Sequence, residues 1–107
     1  MSADITATTP GRPRPRIDKH AGEARPYIVD LSPLLGGADL LAGAPDVVCA
    51  SLPIGAAVVR SGRHVSVQID ASSMPDGRPY ADHTMTISCA TVRGARVACT
   101  ITVRVHG

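Results

Sequence analysis

Two stretches near the C-terminal end leave this chain little choice but to form a sheet. "YADHTMTISCATV" sets Met85, Ile87, Cys89 and Thr91 on one phase of a two-residue alternation, and "RVACTITVRV" does the same for Val97, Cys99, Ile101, Val103 and Val105. A period of two is the repeat of a strand, whose successive side chains point to opposite faces. The gap between them, "RGA", has room only for a hairpin turn. For both apolar rows to face one core, directly opposed residues must have numbers of matching parity. A three-residue loop at Arg93 to Ala95 satisfies that condition, pairs Val92 with Arg96, and sets Cys89 opposite Cys99. Such cysteines pack as small apolar groups and need not bond.

Earlier segments repeat the signal at shorter length. "HVSVQID" places Val65, Val67 and Ile69 on one face and His64, Ser66, Gln68 and Asp70 on the other, and "IGAAVV" precedes it across a turn at Ser61-Gly62. "DVVCASL", closed by Pro53, and "RPYIVD" read as further strands. "SSMPDGRPY" is a loop with a turn at Pro75-Asp76-Gly77. In "DLSPLLGGADLL", Ser32 and Pro33 open a helix of one turn, which Gly36-Gly37 stops. Six or so short strands, consecutive ones joined by hairpins and with no crossover helix, predict an all-β fold. Its expected form is a small antiparallel β-sandwich of immunoglobulin-like type, with a flexible N-terminal arm.

Residues 1–25 have no such period. "GRPRPRI" favours an extended backbone, because each proline fixes its own φ and restrains the residue before it. The expected division is therefore a disordered or extended Pro/Arg-rich arm over 1–25 and a folded domain over 26–107. Arg12, Arg14, Arg16, Lys19 and Arg25 face only Asp4, Asp18 and Glu23 in that first part, so the formal net charge of +2 belongs to the arm. With no Phe or Trp, and only Tyr27 and Tyr80 as aromatics, the core must be built from Val, Ile, Leu and Ala. A core that thin favours burial against other subunits.

Chemistry-bearing patterns are sparse. The cysteines Cys49, Cys89 and Cys99 are odd in number and lack ligand spacing, so no metal site or disulfide framework is expected. His20, His64, His83 and His106 read as surface residues, with His64 and His83 at or near the outward phases of their strands. Asp82-His83 has no nucleophile tied to it. The glycines do not form a phosphate loop, paired carboxylates are absent, and stacking on nucleic acid lacks its aromatics. No apolar run reaches the length needed to cross a bilayer, and "MSADITATTPGRPRPRIDKH" lacks the apolar centre of a secretion signal. The expectation is a binding or structural module without enzymatic activity, cofactor, membrane contact or specific nucleic acid.

"YIVDLSPLLGGADLL", followed by "VVCASL", "VVRSGRHVSVQI" and "HTMTISCATVRGARVACTITVRV", resembles a group of small structural proteins of tailed bacteriophages, the fibre–tail adaptors. The likeness covers residues 26 to 105, with Asp30 to Leu35 as the connector and Val92 to Val105 as the closing hairpin. Leucines stand here where that group commonly has aromatic residues. The resemblance implies an immunoglobulin-like virion protein, made in the host cytoplasm, that joins a tail or neck component to fibres or spikes in several copies around a symmetric ring. Its partners would be other virion proteins; a capsid decoration protein on the major capsid lattice is the alternative. In that setting Arg12, Arg14 and Arg16 are expected to bind acidic side chains of a neighbour. Leu31, Leu34 and Leu35, with Leu40 and Leu41, are expected either to plug the end of the sandwich or to dock on the partner.

Overall fold

The computed structural model describes residues 3–9, 11–74 and 77–107. Among these residues eight strands follow one another: β1 (Ile5–Thr6), β2 (Arg16–His20), β3 (Arg25–Asp30), β4 (Leu41–Val48), β5 (Ile54–Arg60), β6 (His64–Ile69), β7 (Tyr80–Thr91) and β8 (Arg96–His106). They form two four-stranded sheets, in the orders β1-β3-β6-β5 and β2-β8-β7-β4. The alternations do what their period requires. Val65, Val67 and Ile69 on β6, Met85, Ile87 and Cys89 on β7, and Cys99, Ile101, Val103 and Val105 on β8 are all buried. They belong to one apolar cluster that also takes in Tyr27 and Val29 from β3 and Ile17 from β2, so both sheets contribute to the same core.

The sheets are mixed, not antiparallel, and the N-terminal segment is the reason. β1 pairs in parallel with β3, and β2 pairs in parallel with β8 from Arg16↔Thr102 to His20↔His106. The remaining pairings, β3–β6, β5–β6, β4–β7 and β7–β8, are antiparallel. Residues on the N-terminal side of the expected 25/26 boundary therefore extend both sheets. Ala7, Ile17 and Lys19 are buried there. Hairpins join only β5 to β6 and β7 to β8, while the other connections from β2 onward cross between sheets.

The β7–β8 turn corrects the expected register. Ala90 pairs with Arg96, Cys89 with Val97, and Ile87 with Cys99, so the two cysteines are not opposed. The loop is still three residues long, but it is Val92 to Gly94: Thr91 N–H donates to Ala95 C=O at 2.8 Å and Gly94 N–H to Thr91 C=O at 3.0 Å. Gly94 has φ +85°, the left-handed conformation needed at the third loop position. A loop at Arg93 to Ala95 would put alanine there, so glycine sets the register. The shift of two leaves parity unchanged, which is why both apolar rows still face the core. The β5–β6 turn lies where expected, with Ser61 at φ 56° and Gly62 at φ 70°.

β4 begins six residues before Val47, earlier than the expected strand, and carries an irregularity between Ala42 and Asp46. Pro45 falls in that irregular stretch, where its missing N–H breaks no ladder bond. The leucine connector forms a single 3-10 turn at Ser32–Leu34. Its cap differs from the expected one: the Asp30 carboxylate accepts from the Ser32 N–H at 2.9 Å and from its hydroxyl at 2.6 Å. Burial pushes the Asp30 carboxyl up, but these donations outweigh it and hold the group below its ordinary 3.8. Of the turn expected at Pro75-Asp76-Gly77, Pro75 and Asp76 lie outside the described residues, while Gly77 has φ +76°.

Candidate binding surface beside the last strand

"GRPRPRI" determines where β2 can start. To continue down β8 in the observed parallel register, the residue at position 15 would have to donate its N–H to the Thr100 carbonyl. Position 15 is proline and has no N–H. The Thr100 amide would in turn need the carbonyl of Pro13, which instead accepts the Thr8 hydroxyl at 3.0 Å. The last bond of the series is Thr102 N–H to Pro15 C=O at 3.0 Å. Below it the chain leaves β8 and makes its own turn, with Arg12 N–H donating to Thr9 C=O at 3.2 Å.

The consequence is an open length of sheet edge. Thr102 directs its N–H toward β2, and ladder geometry alternates, so Ala98 and Thr100 direct theirs to the same side. Among the described residues none accepts from either amide. Between this edge and the departing chain lies a depression of about 230 Å³, lined by Thr8, Thr9, Arg12, Arg14, Ala98, Cys99 and Thr100. Arg12 and Arg14 are exposed, and among the described residues no carboxylate lies within ion-pair distance of either. Cys99 points inward from the floor, and burial pushes its thiol up to about 11, so it stays protonated at neutral pH.

Arg16 is not part of this group. It pairs with Asp18 at 3.3 Å on the outer face of the second sheet, where Asp18 also meets His106 at 2.9 Å. The hydrogen bond to His106, helped by Arg16, holds the Asp18 carboxyl below its usual range. Beside it, Arg104 binds Asp82 through two bonds of 2.8 and 3.0 Å and lies over the Tyr80 ring at 4.0 Å. That surface is polar and internally paired, with Arg96 bonded to Asp46 further along.

The leucines separate into two environments. Leu31 is fully buried and Leu41 nearly so, which makes both part of the core. Leu34 and Leu35 are half-buried against it, and Leu40 is 40% exposed. Leu40 C=O accepts from Val92 N–H at 2.8 Å, which ties the connector to the β7–β8 turn, where Val92 is 67% exposed; the Leu40 side chain lies over Gly62.

His83 is half-buried on the inward phase of β7, contrary to the outward placement expected from sequence, and its Nδ1 lies 2.6 Å from the Ser51 hydroxyl. Asp82 points to the opposite face and is occupied by Arg104, so it does not orient this imidazole. No group of three or more His, Cys, Asp or Glu side chains suited to a metal ion occurs among the described residues.

Of the residues expected from sequence to bind a partner, the fold brings Arg12 and Arg14 together, sets Arg16 apart in an ion pair, buries Leu31, and leaves Leu34 and Leu35 half-buried against the core. Thr8, Thr9, Ala98 and Thr100 join them without having been expected from sequence. The signal for them is the spacing of Pro13 and Pro15, which acquires meaning only once β2 is known to lie on β8. No protein-family model matches the chain, and no curated protein is similar to it in sequence.

Proposed function

We propose that this chain is an immunoglobulin-like structural module of a tailed-phage virion, joining a tail or neck component to fibres or spikes without enzymatic activity. The strand order supports the immunoglobulin-like part. On this reading β2 to β8 correspond in chain order to A′, B, C, D, E, F and G, since β3, β6 and β5 share one sheet and β2, β8, β7 and β4 the other. The A′ strand lies parallel to G, as β2 does to β8. β1 is an added strand beside β3.

The observation that carries the binding role is the uncompensated arginine pair beside an open sheet edge. Exposed edges are normally covered or blunted, and a subunit of an assembly can leave one for its neighbour. The exposed side chains of Leu40 and Val92 offer further apolar contacts. The virion context comes from the sequence resemblance.

Cryo-electron microscopy of particles from the source phage, with this chain located in the density, tests the reading. Density at the tail or neck, against a fibre or portal-side protein, is expected. Density spread over the capsid faces would assign the chain to decoration. Absence from the particle would remove the virion role.

A further inference from the structure

We propose that the slot between β8 and the side of the chain carrying Thr8, Thr9, Arg12 and Arg14 takes an acidic, extended segment of a partner protein, which adds to the second sheet as a strand where β2 stops. This rests on reading the chain as a binding module, though not on which assembly it belongs to.

Three observations converge. First, the backbone on one wall is prepared for a strand: Ala98 and Thr100 direct amide and carbonyl groups into the slot, and among the described residues nothing accepts from those amides. An incoming segment supplies the donor that Pro15 lacks and the acceptor that Pro13 has committed to Thr8. Second, the opposite wall carries Arg12 and Arg14 with no carboxylate among the lining residues. Two guanidinium groups favour carboxylates through charge-assisted hydrogen bonds, and a lysine-bearing segment is repelled. Third, β8 already has its extended conformation fixed by pairing. It is held along its other side by β7 from Tyr80↔His106 to Ala90↔Arg96, so its backbone pays no further ordering cost when a segment docks.

The test is an NMR titration of the full-length, 15N-labelled chain with an alternating Asp-Val octapeptide, alongside Lys-Val and Ser-Val octapeptides and sodium sulfate. The Asp-Val peptide is expected to shift the Ala98 and Thr100 amide signals and slow their hydrogen exchange. The double variant R12E/R14E should weaken that peptide about tenfold or more while preserving the rest of the spectrum. A98P, which removes one outward amide without touching a β7–β8 ladder bond, should weaken it too. Shifts confined to Arg12 and Arg14, or reproduced by sulfate, would reduce the slot to a simple anion site and overturn the proposal. Equal response to the Ser-Val peptide would overturn its acidic preference, and no response at all would overturn it entirely. These results are independent of particle location: a chain in the tail with an unresponsive slot sinks only this inference, and a responsive slot in a chain absent from particles sinks only the virion role.

Discussion

The two halves of β8 share one partner on one side and differ on the other. From Thr102 to His106 the strand is flanked by β2; from Arg96 to Thr100 it is not. Composition does not explain the contrast, since both halves carry their apolar core residues on the same phase, Val97 and Cys99 in one and Val103 and Val105 in the other. The difference is in the flanking chain. "RIDKH" has an amide at every position, and "RPRP" lacks one at every second position, on the phase that would face β8. Placement of two prolines thus divides one strand into a structural half and an available half.

Deleting residues 1–24 attacks the covered half most severely. It removes Ala7, Ile17 and the whole of β2 from the folded chain. The expected loss is about 3 kcal/mol or more, with an exposed edge that promotes association. Urea unfolding and size-exclusion chromatography check this; a truncated chain as stable and monomeric as the full one would show that β2 is dispensable. Ile17→Ala isolates the packing part. At 4% exposure in the core, it should cost about 2–5 kcal/mol, read as a lower denaturation midpoint at unchanged slope.

Gly94→Ala tests the turn that sets the register of β8 itself. Forcing alanine into φ +85° should cost about 1–3 kcal/mol without changing the strand content seen by circular dichroism.

Lys19→Met probes an unusual inward residue on β2. The lysine is 2% exposed, and its Nζ donates to the His20 carbonyl at 2.8 Å. Burial pulls its pKa below the ordinary 10.5. The unfolded chain therefore holds that proton more tightly, so wild-type stability should rise as pH climbs from the lowered folded value toward 10.5. K19M should lack that rise and match or exceed wild type at neutral pH by about 1 kcal/mol. Thermal melts of both proteins across the alkaline range would settle it; parallel curves would mean the charge is not felt by the fold.

The smallest stability effect belongs to P13A/P15A. It restores the two missing amides, so β2 should extend down β8 and slow hydrogen exchange at Thr100. The gained hydrogen bond, about 1 kcal/mol, is offset by a similar increase in unfolded-chain entropy. Unchanged exchange at Thr100 would show that the prolines are not what stops β2.

Much of the fold is legible in the order of residues. The strands at His64–Ile69, Tyr80–Thr91 and Arg96–His106 follow from alternation, Arg25–Asp30 reads as a short strand, and Ser61-Gly62 marks its turn. β2 is not legible in that way. Its inward phase holds Ile17 and then Lys19, and a lysine on the core side conceals the apolar period. The first half of β4 is obscured by Gly43 and Pro45, residues that argue against a strand unless it is irregular. The arginines of the N-terminal segment are identifiable as binding groups, but as parts of an arm and not as one wall of a slot.

By itself, then, the sequence determined the all-β class, the face each long strand buries, and the free positive charge near the N-terminus. These depend on local periodicity and on which residues have amides or side chains to offer. Only the tertiary structure decided that Arg16–His20 lies along β8, that Cys89 and Cys99 are offset, and that Arg12 and Arg14 stand across from Ala98 and Thr100. Those are pairings between residues distant in the chain. They follow from which edge remains unsatisfied once the hairpins have formed, and no local pattern contains that information.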